Sequence, residues 1–328
     1  MAAEVSVDVL VVGAGPSGLY AAYYAGFRGR SVGILDGLPE AGGQITALYP
    51  EKLIFDVAGF PAIKGKELVE ALVKQAAPFD PTYLLNEQAT GYEDRGEDVL
   101  ISCASGRTVA AKAVIVTGGI GSFNPRPLPG GEAFEGKGLE YIVPTYVPYA
   151  GKDVVVVGGG DSAVDWALGL EGVASSVTLV HRRDEFRAHA HSVKLLKDSS
   201  VTVITPVSPV SVNGSAVVES LSVRDVKTKE ARDIPCDALV AALGFTADIS
   251  HLEAWGLATE DRHILVDTTM ATNLPRVYAA GDITEYPGKV RLISVGFGEA
   301  ATAVNNAATV IDPSATVFPG HSTEGAQA

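Results

Sequence analysis

The chain has 328 residues, 47% of them apolar and 36 of them glycine, which suits two cored, turn-rich α/β domains rather than a disordered polypeptide. A formal charge of −14 argues against nucleic acid or an anionic membrane surface as a general partner, and no apolar run reaches the length of a membrane span. The two cysteines, Cys103 and Cys236, read as unpaired, buried and inert, and the expected location is the cytoplasm.

The first stretch with a distinct pattern is residues 7–25, an apolar β-branched run, a glycine-rich turn and an alanine-rich segment, which predicts strand, turn and helix. Gly13, Gly15 and Gly18 follow the G-x-G-x-x-G spacing: a tight turn, close approach of a pyrophosphate, and close helix–strand packing. Pro16 suits a first helical turn, where its missing N–H has no intrahelical partner. The exposed N–H groups there suit a phosphate. A second strand at 31–35 closes on Asp36, 18 residues beyond Gly18. An acid at that spacing accepts ribose hydroxyls and repels a 2′-phosphate, so this site is expected to take FAD or NAD rather than NADP.

Residues 38–61 form a loop-rich region containing Gly42, Gly43, Gln44 and Tyr49. A helix is predicted at 65–75, a strand at 83–90, a hairpin at 99–109 around Ser105-Gly106, and a buried strand at 113–117 that runs into TGGIGSF. Proline-rich 124–131 reads as a linker.

Beyond the linker the opening pattern recurs. Residues 153–166 again predict strand, turn and helix, with Gly158, Gly160 and Ala163 at the G-x-G-x-x-A positions, 145 residues after the first copy. The following strand, 176–180, closes on His181-Arg182-Arg183 instead of an acid, with Arg187 close behind. Arginines there complement a 2′-phosphate by paired, charge-assisted hydrogen bonds, which predicts NADPH. His189 and His191, two apart on an expected helix, do not share a face, so no metal site is expected. Residues 201–243 predict a small antiparallel insertion, and AALGF at 241–245 marks the return to the first domain. A buried strand at 276–282 places Asp282 to accept ribityl hydroxyls, and a helix at 294–309 directs its positive N-terminus toward a flavin's pyrimidine side. The expected fold is α/β, with two Rossmann-like dinucleotide-binding domains, the second (123–246) inserted into a discontinuous first (1–122 and 247–328, with a tail at 312–328).

The order of these motifs resembles the thioredoxin-reductase-like flavoproteins over nearly the whole chain. GGQITALYPEKLIFDVAGFP, GGGDSAVDWAL, HRRDEFRAHAHS, GKVRLISVGFGEAATAVNNA and the terminal HST are similar to the ferredoxin/flavodoxin NADP reductases of that type. The resemblance implies FAD in the discontinuous domain, NADPH in the inserted one, a homodimer, and ferredoxin or flavodoxin as electron acceptor. It places Asp36, Gln44, Tyr49, Ala89, Phe123, Asp282 and Thr323 at the flavin nucleotide, with Tyr49 on one face of the ring and His321 near the other. Thioredoxin reductases carry C-x-x-C ahead of the second glycine turn; here the stretch is Tyr141-Ile142-Val143-Pro144, so internal disulfide exchange is closed. An acidic chain needs a local basic patch to meet an acidic carrier, and Lys289 with Arg291 is the expected one. Competing functions are an NADPH oxidase or quinone reductase on the same scaffold, distinguished by fast turnover with oxygen or quinone alone, and a non-catalytic flavin redox sensor, distinguished by no steady NADPH consumption.

Overall fold

The computed structural model describes residues 5–119 and 122–321, and within them all side chains except those of 122–124, 246 and 247. The chain divides into two compact units, Met1–Phe123 with Ala247–Ala328, and Asn124–Thr246.

In the first unit β1 (Val5–Val12) pairs in parallel with β2 (Val32–Asp36) on one side and with Thr108–Val116 on the other. A strand with neighbours on both edges and cover on both faces has no wet side, which explains its near-continuous valines. Thr82–Leu85 extends the sheet beyond β2, and Val277–Ala279 joins it in parallel with residues 114–116. One apolar layer lies between the sheet and three helices, α1 (Pro16–Phe27), Gly65–Ala76 and Ile293–Ile311. Small residues fill much of it: Ala21, Ala22 and Ala25 of α1, and Ala300, Ala303 and Ala307 of the last helix, are all almost fully buried. The second layer covers the opposite face beneath the antiparallel strands.

Two sequence expectations change here. The expected strand at 83–90 is broken at Asn86, which takes a left-handed φ of 56°. Thr82–Leu85 stays with β2, while Ala89–Asp94 pairs antiparallel with Val99–Cys103 at the far end of the strand order. The hairpin arm and the buried strand expected at 113–117 are instead one nine-residue strand, because β1 pairs along almost its entire length.

In the second unit Asp153–Gly158 lies between Ser176–Val180 and Ala238–Ala242, with Thr202–Ile204 and Leu139–Glu140 at the edges of a parallel sheet. The antiparallel part of 201–243 is confined to Val207–Asn213, Ser220–Asp225 and Ala231–Pro235; the flanking residues complete the parallel sheet. The expected 276–282 strand shortens to Val277–Ala279, since Arg276 sits at a φ of 60°. His189 precedes the helix Ala190–Asp198 at its N-cap, so the two histidines do not share a helix. No cluster of three metal-ligating side chains occurs among the described residues, and none of their helices is long and apolar enough to cross a membrane.

Candidate functional site

Each fingerprint glycine of the first turn meets a different environment. At Gly13, with φ 114°, a methyl carbon would stand 2.6 Å from the Thr117 carbonyl oxygen; at Gly18 it would stand 1.8 Å from that of Gly13. At Gly15 nothing lies within 4 Å. The first and third glycines are therefore required by the protein's own packing, and the middle one faces open space where the first turn of α1 has N–H groups without intrahelical partners. Thr117, a residue the sequence reading left without a role, holds the turn: it is buried, and its hydroxyl donates to Gly13 O at 2.8 Å.

The turn opens into a cleft of about 450 Å³ built within the first unit. The cleft gathers Asp36, Gln44, Tyr49, Ala89 and Asp282 from four separate stretches. Asp36 accepts the Ala14 N–H at 2.5 Å and the Leu38 N–H at 2.8 Å, which fixes the end of β2 to the glycine turn. A carboxylate has about four acceptor sites, so two remain for hydroxyls. Burial raises its pKa, against the lowering by these two bonds. The Gly-Gly-Gln loop folds over the turn: the Gly42 N–H donates to Ala14 O at 2.8 Å, and a methyl carbon at Gly43 would stand 3.0 Å from Gly15 Cα. Tyr49 ends the short helix Gln44–Leu48 with its phenol pushed up to about 12, first by burial and then by the Asp282 and Asp56 carboxylates. It stays protonated at neutral pH and serves as an aromatic wall rather than a base. Asp282 is raised by burial, with Lys289 and Arg291 acting in the opposite direction.

The second turn repeats this arrangement. A methyl carbon at Gly158 would stand 2.5 Å from Ala242 O and 2.8 Å from the Ala163 methyl, whereas at Gly160 nothing lies within 4 Å. Arg182, Arg183 and Arg187 are all exposed, and none has an ion-pair partner among the described residues. The neighbouring Asp184 is drawn away by Lys227 at 2.9 Å. The Arg187 N–H donates to Gly159 O at 2.8 Å, fastening the arginine loop to the glycine turn. His181 occupies a different place: its ring stacks on Phe186 and packs beneath Gly159, where a methyl carbon would stand 2.2 Å from it. Burial there lowers its pKa.

Lys289 and Arg291 are not a free basic patch. Lys289 is buried against Glu299, its side chain 1% exposed, and Arg291 is paired with Glu285 at 2.5 Å. At the position of the missing dithiol, Tyr141 and Val143 are core residues, and the Tyr141 hydroxyl accepts the Leu128 N–H. Cys103 and Cys236 are both buried, their thiols pushed up to about 11 and about 12 by desolvation. His321 is exposed, edge-on to Phe318 at 5.2 Å, and does not line the cleft. Arg28 ties the last helix to the preceding tail, donating to Asn305 Oδ1 of the helix at 3.0 Å and to Thr316 O and Val317 O of the tail at 2.8 and 3.3 Å. The Phe123 side chain and Thr323 lie outside the described residues.

Two glycine turns, each opening a helix from a parallel sheet, one followed by an acid and the other by arginines, define a two-domain dinucleotide-binding protein. The chain belongs to the pyridine nucleotide-disulphide oxidoreductase family, whose model matches residues 7–307. It is similar to proteins named ferredoxin–NADP reductase: 61% identical to one from a Nocardioides species over 325 residues, 98% of each chain, and 59% identical to one from Frankia alni, covering 96% of this chain and 98% of the other. Among solved structures it resembles the thioredoxin reductases of Lactococcus lactis (TM-score 0.80, 27% identity, 93% of this chain and 99% of the other) and T. acidophilum (0.81, 28%, 94% and 99%). The cofactors this family implies are FAD and NADPH.

Proposed function

We propose that the chain is an FAD-dependent oxidoreductase that takes electrons from NADPH and delivers them to ferredoxin or flavodoxin. The observation that carries this reading is the opposed charge of the two sites, Asp36 at one turn and, at the other, Arg182, Arg183 and Arg187 with no ion-pair partner among the described residues, in a chain with no adjacent dithiol. The two glycine turns suit dinucleotides: each is open at its middle glycine, Gly15 or Gly160, and closed at the glycine that opens each motif.

In the first unit Gly13, Gly15 and Gly18 with the start of α1 hold the pyrophosphate of FAD, and Asp36 takes the adenosine ribose. Gln44, Tyr49, Ala89, Phe123, Asp282 and Thr323 complete the seat. In the second unit Gly158, Gly160 and Ala163 hold the pyrophosphate of NADPH, His181 supports the turn from beneath, and the three arginines take the 2′-phosphate. FAD, when bound, supplies the conversion of a two-electron donor into single-electron delivery. Tyr49 walls the cleft as a neutral aromatic, and Asp282 accepts hydroxyls. The buried cysteines lie in different units and take no part.

The deciding measurement is stopped-flow reduction of a ferredoxin, a flavodoxin, a thioredoxin and oxygen with NADPH as donor. Ferredoxin or flavodoxin is expected to react fastest, and the Cys103→Ser, Cys236→Ser double variant at a similar rate. Fastest reduction of thioredoxin, lost in the double variant, would replace this mechanism with a disulfide route.

On the same reading the enzyme is a cytoplasmic homodimer. Unpaired thiols suit a reducing compartment. A tail fastened at the C-terminal end of α1, with His321 exposed beyond it, suits a second copy as the surface it meets. Deleting the residues after Pro319 is expected to change the flavin's visible spectrum and speed its reaction with oxygen. An unchanged spectrum and unchanged rate would remove His321 from the site.

A further inference from the structure

Behind the Gly281-Asp282 turn lies a buried polar cluster that hydride and electron transfer do not by themselves require. Lys289 and Glu299 are ion-paired with side chains 1% and 5% exposed. The two oxygens of Glu299 are divided: Oε2 accepts the Gly281 N–H at 2.7 Å, while Oε1 takes the Tyr286 hydroxyl and the Lys289 ammonium. Lys289 also donates to Gly281 O at 3.0 Å, shared with the Thr284 hydroxyl at 2.8 Å, and its ammonium stands 5.4 Å from the Tyr286 ring centre. Ser17, in the first turn of α1, closes the junction: methyl carbons at Gly281 and Gly296 would stand 2.8 and 2.3 Å from its hydroxyl. An ion pair this buried gives little net stability against an apolar replacement, so its retention calls for another role.

We propose that Lys289 and Glu299, the latter held by Tyr286, form a positioning unit that grips both backbone polar groups of Gly281, thereby setting where Asp282 presents its carboxylate to the flavin nucleotide and balancing charge behind it. This rests on the reading of Asp282 as a flavin contact. The grip falls on the residue before Asp282, on the peptides at both of its ends: Glu299 holds the Gly281 N–H and Lys289, together with Thr284, the Gly281 C=O, so a shift of either moves the following residue.

The test uses the full-length protein and two readouts, the FAD dissociation constant by flavin fluorescence and the flavin midpoint potential. Glu299→Gln leaves Lys289 uncompensated and is expected to raise the potential. Lys289→Met leaves a buried carboxylate and is expected to lower it. Both are expected to weaken FAD by about tenfold, as for a charge-assisted hydrogen bond lost at Lys289→Met or made neutral at Glu299→Gln. Potentials that do not move in opposite directions would overturn the proposal. A Lys289→Met, Glu299→Leu variant removes both charges while keeping bulk; its apoprotein is expected to melt near the parent temperature yet still bind FAD about tenfold more weakly, because the Gly281 N–H has lost its acceptor. Parent-like FAD affinity in that variant would make the cluster structural only. Asp282→Asn separates the two ideas. If it weakens FAD and Glu299→Gln adds little on top, the positioning route stands; if the two losses add in full, the route fails; and if Asp282→Asn leaves FAD affinity unchanged, the reading of Asp282 fails and the proposal with it.

Discussion

Replacing Arg182 and Arg183 together by alanine is expected to lower kcat/KM for NADPH by about two orders of magnitude while leaving NADH almost unaffected. Hydrogen bonds to a charged group are worth roughly 1.5 to 3 kcal/mol each, and exposure places these guanidiniums at the lower end. Two such losses come to about 3 kcal/mol, and each 1.4 kcal/mol is about tenfold in rate. No acid among the described residues neutralises either arginine, so the loss falls on the ligand rather than on the fold. Thermal melting should stay at the parent value. Equal losses with NADPH and NADH would show that the pair acts on something common to both, and the 2′-phosphate assignment would go.

The second large effect is a contrast between two glycine-to-alanine changes three residues apart. At Gly15 the backbone has φ −70° and ψ −178°, values open to alanine, and no atom lies within 4 Å of the added methyl. Gly15→Ala should therefore fold and melt like the parent. It should nevertheless lose FAD, because the methyl fills the space through which the pyrophosphate approaches; losing one or two charge-assisted bonds there weakens binding by about ten- to a thousandfold. At Gly18 the methyl would stand 1.8 Å from Gly13 O and 2.7 Å from the Thr117 hydroxyl. Helix and strand must separate to admit it, and overpacking of this kind costs about 1 to 3 kcal/mol or more. Gly18→Ala should therefore melt lower with or without FAD. The two measurements are the apoprotein melting temperature and flavin retained through gel filtration; a Gly15→Ala protein that keeps its flavin would sink the cleft assignment.

Where the sequence was legible, the signal was local. Glycine spacing, Pro16, and the residue closing each second strand all act within about thirty residues, and the turns, Asp36 and the arginine loop lie where that spacing puts them. Charge counting failed at Lys289 and Arg291, because a cation's availability depends on what faces it in space, and Glu299 and Glu285 already do. The strand at 83–90 failed for a related reason: β-propensity runs unbroken through it, but Asn86 turns the backbone so that each half finds a different partner strand.

By itself the sequence determined that there are two dinucleotide turns, that one is followed by an acid and the other by arginines, and that no dithiol lies near the second. These are properties of covalent order, and short-range geometry converts them directly into chemistry. Only the tertiary structure decided that Thr117 holds the first glycine turn, that Ser17 packs against Gly281 and Gly296, that His181 packs against Gly159, that Lys289 is buried against Glu299 behind Gly281, and that His321 is exposed. The Thr117 and Ser17 contacts join residues more than a hundred positions apart through strand pairing and helix packing, while those of His181 and Lys289 join nearer residues that meet only because the chain folds back on itself. The long-range contacts are fixed by the burial of whole faces, and the nearer ones by which side chain ends up facing which, and spacing along the chain encodes neither.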